Sequence, residues 1–126
     1  MKSVELFGVK IINGSYKDAI IGLKKGGLMV VPSGPGLATI GKDSRYKEAV
    51  QNSDFAIPDS GYMVLLLKVL KHIKIQKLSG YVFLKRFLHE EKFNKNAIFL
   101  VDPTEKESKL NYNYLTKIGI PIDPSY

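Results

Sequence analysis

Four short apolar runs punctuate the chain, and what separates them constrains the fold more than anything else in the sequence. VELFGVKII (4–12), LMVV (28–31), DFAI (54–57) and NAIFLV (96–101) are each followed by turn-forming residues and then by a stretch of helical period. Strands that alternate with helices and are apolar almost throughout belong to a parallel sheet covered on both faces. The expected fold class is therefore α/β, a Rossmann-like three-layer sandwich with a largely parallel sheet. IPI (120–122) reads as the start of a further strand, after which no helix remains to cover it. At 126 residues the chain reads as one α/β domain, 1–126, long enough to bury a real core.

The helical stretches carry their own punctuation. Ser15 is placed to cap YKDAIIGLKK, and Gly26-Gly27 to stop it. PSGPG (32–36) reads as a loop leading into helical material that ends at RYKEAVQN. SGYMVLLLKVLKHI (60–73) and YVFLKRFLHEEK (81–92) are the next two helices, the second with Val82, Leu84, Phe87 and Leu88 near one face. In the last helix Asp102 reads as the cap, Pro103 as the first helical residue and Gly119 as the stop.

Composition then removes whole function classes. No run of 18 apolar residues exists to form a transmembrane helix, and Glu5 and Lys10 interrupt any signal-peptide core. With no cysteine there is neither a disulfide nor a thiolate, and two histidines far apart suggest no metal site. The net charge is +7, but 17 of the 19 basic residues are Lys. Readers of nucleic acid favour Arg for its two-pronged contacts, so a nucleic-acid partner is not expected. Lys68, Lys71, Lys74, Lys77, Lys85, Arg86, Lys92 and Lys95 form a basic stretch. It suits a solvated face, an anionic membrane surface or a phosphate-bearing ligand. Lysines without an apolar insertion element give only weak, salt-sensitive attraction to vesicles.

Ligands of parallel α/β sheets bind beyond the carboxyl ends of the strands, so the loops there hold the candidates. In PSGPG, Pro32, Ser33 and Gly34 can bring backbone N–H groups and a hydroxyl to a ligand, or simply make a stiff turn. In IPDSG (57–61), Asp59 is either the N-cap of the following helix or a carboxylate fixed at the mouth of a site. Asp102, in LVDPT, reads mainly as a cap and less strongly as a ligand contact.

Taken in order, GLMVVPSGPGLATI, RYKEAVQNSDFAIPDSGYMVLLLKVL, IQKLSGYVFLKRFL and NAIFLVDPTEKESKLNYNYLTKIGI resemble the WecG/TagA/CpsF glycosyltransferases. The resemblance runs from about Val4 to Ile120, and SDFAIPDSGYMV is its most specific block. Pro32-Ser33-Gly34 stands where the family has Thr-x-Asn. Pro58-Asp59-Ser60, then Gly61, stands for its Pro-Asp-Gly. Lys77 replaces an Arg and Ser79 a Thr, Gly80 is kept, and Val82 replaces an acid. VDP replaces a glycine-rich turn. These departures mark a divergent branch.

The resemblance implies an inverting transfer of an N-acetylhexosamine-type sugar from a UDP donor to a polyprenyl-diphosphate-linked acceptor, in cell-surface polysaccharide synthesis. It implies no cofactor and no essential metal. Asp59 would be the general base, with Pro32, Ser33, Gly34, Ser60, Gly61, Lys77, Ser79 and Gly80 binding substrate and Asp102 a lesser candidate. The setting would be cytoplasmic, peripheral at the inner face of the plasma membrane in the full-length form. Members are longer than this chain, which resembles their N-terminal half, so a donor site built from both halves is expected to be incomplete here. The competing expectation is a non-catalytic domain that binds a nucleotide or sugar phosphate.

Overall fold

The computed structural model describes residues 2–90, 98–120 and 122. Lys92 and Lys95 of the basic stretch, Asn96 and Ala97 of NAIFLV, Pro121, and DPSY at the end fall outside them. The described residues form a mixed α/β structure with a four-stranded sheet and six helices. The chain divides into two compact units, Met1–Phe87 and Leu88–Tyr126.

The first unit holds the sheet. Its strands are β1 (Ser3–Leu6), β2 (Val9–Ile12), β3 (Met29–Val30) and β4 (Phe55–Ala56), in the order β1-β2-β4-β3. β4 runs parallel to both β2 and β3, while β1 is antiparallel to β2. The run VELFGVKII is thus a hairpin and not one strand. Phe7 and Gly8 form its two-residue turn, with φ of 53° and 76°, as a type I′ turn requires. The tip is tied down by Gln51, whose Nε2 donates to the Phe7 carbonyl at 2.9 Å.

The helices of this unit are α1 (Tyr16–Lys24), α2 (Gly34–Ala38), α3 (Ser44–Gln51), α4 (Gly61–Lys71) and the first part of α5 (Gly80–Glu90). Ser15 caps α1 as expected, within a reciprocal capping box with Asp18. Period-two alternation sorts the strand residues into two cores. Val9, Ile11 and Ala56 pack with Leu37, Val50, Met63 and Leu67 from α2, α3 and α4. Ile12, Phe55 and Ile57 pack with Ala19, Ile20 and Phe83 from α1 and α5.

Three expectations are corrected here. LMVV is not a buried strand: β3 pairs only with β4, and Leu28 and Val31 on either side of it are exposed. PSGPG is not all loop, because Ser33 caps α2 and Pro35 fits its first turn, where a missing N–H costs nothing. On α5 the inward residue is Phe83, stacked on Phe87 at 5.8 Å, and Leu84 faces out.

The second unit is built on α6 (Glu105–Lys117). Leu115, Ile120 and Ile122 form its core, with Ile98, Leu100 and Tyr112 packed against it. NAIFLV was expected to be buried throughout, yet Phe99 and Val101 are exposed while Ile98 and Leu100 turn inward. That alternation belongs to a strand with one covered face, and a single parallel bridge joins Ile98 to Ile122. No helix among the described residues is long and apolar enough to cross a membrane.

Candidate active site at the carboxyl end of the central strand

The site begins where β4 ends. Ile57 continues the sheet by donating its N–H to the Val30 carbonyl at 3.0 Å, and Pro58 beside it is fully buried. Asp59 then closes a three-residue turn, its N–H donating to the Ile57 carbonyl at 2.9 Å. The N-cap of α4 is Ser60, whose Oγ accepts the Met63 N–H at 3.3 Å. This settles one of the alternatives at Asp59. Its carboxylate caps nothing, and among the described residues it takes part in no hydrogen bond or ion pair.

Two further loops close on this point. Leu78 donates its N–H to the Pro58 carbonyl at 3.0 Å, and Ser79 donates to the Tyr16 hydroxyl at 2.9 Å. Ser79 Oγ in turn accepts from the Val82 N–H at 3.3 Å, so it caps α5. Gly80 sits tightly here: a Cβ there would stand 3.0 Å from Val31 Cγ1, which would have to give by a few tenths of an ångström, and in ordinary contact with Asp59 Oδ2 at 3.6 Å. Gly34 is placed in the same way against the other side of the junction, where a Cβ would stand 3.2 Å from Ser60 Oγ. Ser33 beside it is exposed and accepts the Gly36 N–H at 3.1 Å.

Three serines of the candidate set, Ser33, Ser60 and Ser79, are therefore helix caps. A capping hydroxyl accepts from the backbone and keeps its own O–H to donate. The N-termini of α4 and α5 open toward this end of β4, each carrying the positive pole of its helix. Pro32 is buried and shapes the turn without offering a polar group. Gly61 is exposed at the first position of α4 and is crowded by nothing, so no steric demand explains it. Lys77 is an exposed ammonium without a partner among the described residues.

The family model decides the matter of kinship: that of the glycosyl transferase WecG/TagA/CpsF family matches residues 4–116. The chain belongs to the WecG/TagA/CpsF glycosyltransferase family. No curated protein matches it. The matched span takes in every loop of the candidate site described above, and α6 almost to its end.

Asp102 lies in the second unit and is held differently. Its Oδ1 accepts from Asn111 Nδ2 at 2.9 Å, while Oδ2 is buried with no hydrogen-bond partner among the described residues. It is not the helix cap that its sequence suggested. Thr104 caps α6, accepting the Glu107 N–H at 3.2 Å, and Pro103 precedes the helix. The Thr-x-x-Glu spacing from Thr104 to Glu107 is the capping-box signature that outweighs Asp-Pro here. An open depression of about 570 Å³ lies against Asp102, lined also by Leu100, Thr104 and Ser108.

Proposed function

We propose that the protein transfers an N-acetylhexosamine-type sugar from a UDP donor to a polyprenyl-diphosphate-linked acceptor with inversion, as part of cell-surface polysaccharide synthesis. Asp59 acts as the general base. The observation that carries this reading is the Asp59 carboxylate, unpaired among the described residues and set on a turn at the end of β4 in the mixed α/β sheet. A structural aspartate at such a place would cap the helix, and here Ser60 already does so.

The chemistry follows from the placement. Asp59 takes the proton of the acceptor hydroxyl as its oxygen attacks the anomeric carbon from the face opposite the leaving group. The bond from that carbon to the diphosphate oxygen breaks, and UDP departs with the electron pair. One displacement from the opposite face inverts the configuration. The N-termini of α4 and α5 and the O–H groups of Ser33, Ser60 and Ser79 stabilise the charge that grows on the diphosphate. Lys77 adds a cation near the same loops. No metal is assigned a role. The reaction takes place at the cytoplasmic face of the membrane that holds the acceptor lipid, and no nucleic acid is involved.

The test is Asp59→Asn, assayed with a labelled UDP-N-acetylhexosamine and a short-chain polyprenyl-diphosphate acceptor. Loss of a general base costs on the order of 10²–10⁴-fold in rate. That loss is expected with melting temperature and calorimetric UDP affinity unchanged. Near-normal turnover would put the base elsewhere. UDP binding with no turnover in either form would favour a binding domain that has lost catalysis.

A further inference from the structure

Helix α4 has more apolar surface than the protein covers. Its inward side, Met63 and Leu67 with Val64 and Leu66, packs into the core. Its outward side is also apolar: Tyr62 is 42% exposed, Leu65 56%, Val69 60% and Leu70 57%. At 100° per residue Tyr62, Leu65 and Val69 fall within one stripe about 60° wide. A helix that is apolar all round is normally buried all round. This one has a single cover.

We propose that the outward face of α4 is a docking surface for an anionic lipid bilayer. Charge argues for the occupant. From Ser60 through His89 there are six Lys or Arg residues and no Asp or Glu. Lys68 borders the stripe beside Leu65; Lys71, on the far side of the helix, and Lys74 and Lys77 after it are also exposed and add to the positive charge of this end. A protein partner would be expected to meet a rim of both signs, and a nucleic acid would find no use for the leucines. Apolar side chains over a fringe of lysines match a surface of anionic headgroups above acyl chains. The helix lies in the plane of the interface, its stripe entering the boundary between headgroups and chains. The weak attraction expected from the sequence supposed lysines without an insertion element, and α4 supplies one.

The stripe also has a position. Tyr62 begins it, and Tyr62 Cβ is 3.5 Å from where a Cβ on Gly34 would stand, so one end of the docking face adjoins the candidate site. If the proposed transfer is correct, this holds the site at the depth where the diphosphate of a lipid-linked acceptor emerges. The docking itself does not rest on that reading, because vesicle binding is measured with no donor or acceptor present.

The experiment is cosedimentation of the chain with phosphatidylcholine vesicles, with and without phosphatidylglycerol. Anionic vesicles are expected to bind it. The double variant Leu65→Ser/Val69→Ser should weaken binding roughly ten-fold or more at unchanged melting temperature. Lys68→Glu should weaken it roughly five-fold and Lys71→Glu, farther from the stripe, by less, and added salt should remove only this ionic part. The chain has no Trp, so Leu65→Trp is a clean depth probe. Its emission should shift to the blue on anionic vesicles and be quenched by brominated acyl chains. Absence of binding, or binding that the Leu65/Val69 variant leaves intact, overturns the proposal. So does self-association that the same variant abolishes in a chain that ignores vesicles, since the face would then join two copies.

Discussion

Two junctions in this protein look alike as sequence and behave differently as structure. IPDSG and LVDPT each run from apolar residues through an aspartate into a helix, and in each a hydroxyl residue further on is the real cap. Asp102 is then tethered by Asn111, with one oxygen buried. Among the described residues Asp59 is tethered through its backbone alone, and its carboxylate has no partner there while two other loops approach it. The difference teaches where to look for chemistry. A carboxylate at a strand end becomes a candidate for catalysis when its structural work has been taken over by a neighbour.

The contrast is broken most severely by Asp59→Asn, with its expected loss of turnover at constant stability. Asp102→Asn should leave far more activity, because Asp102 is assigned no proton. Next in size is Gly80→Val. Its branched side chain would press on Val31 and Asp59, and overpacking of this kind costs about 1–3 kcal/mol in denaturant titration. Gly61→Ala, with open space around it, should stay within about 0.5 kcal/mol. Similar costs at the two glycines would show that the loops are not closed around Asp59.

Asn111→Ala sharpens the comparison from the other side. It removes the partner that Asp102 Oδ1 has among the described residues, and stranding a polar group costs about 1–3 kcal/mol. Asp59→Ala has no such bond to lose. Ser60→Ala and Thr104→Ala should each cost about 1 kcal/mol as lost caps. If Asp59→Ala costs as much as Ser60→Ala, then Asp59 supports the helix after all.

The smallest effect is the acid response of α1. The Ser15 N–H, and then the Ser15 hydroxyl, hold the Asp18 carboxyl below its ordinary range. A lowered carboxyl stabilises the fold above its unfolded pKa and loses that contribution as pH falls through the folded one. Amide exchange in the first turn of α1 should therefore quicken below about pH 4, and Asp18→Asn should flatten the change.

Much of the first unit could be read before its structure was known. The strand and helix alternation, the Ser15 cap and the double-glycine stop are local patterns that tertiary contacts did not override. What escaped was decided by choices between equals. Asp and Ser cap helices about equally well, so Asp59-Ser60 gives no hint of which does so until the backbone is seen to turn at Asp59. Phe-Gly is a poor hairpin signal beside Asn-Gly, and the apolar residues on either side of it disguised the turn. The exposure of Leu28, Val31 and the outer face of α4 could not be read at all, because periodicity reports which residues are apolar and not what covers them.

The turn at Asp59 has one more consequence, in the language of entropy. Pro58 cannot rotate about φ, and the Asp59 N–H is held by Ile57, so only two side-chain torsions separate a fixed backbone from the carboxylate. Ordering a side chain costs more free energy the more rotatable bonds it has. A glutamate would bring a third torsion, and the added methylene would shift its carboxylate away from the place now held beside Gly80. The shorter residue keeps its search small, so that little freedom remains to be lost when a hydroxyl arrives.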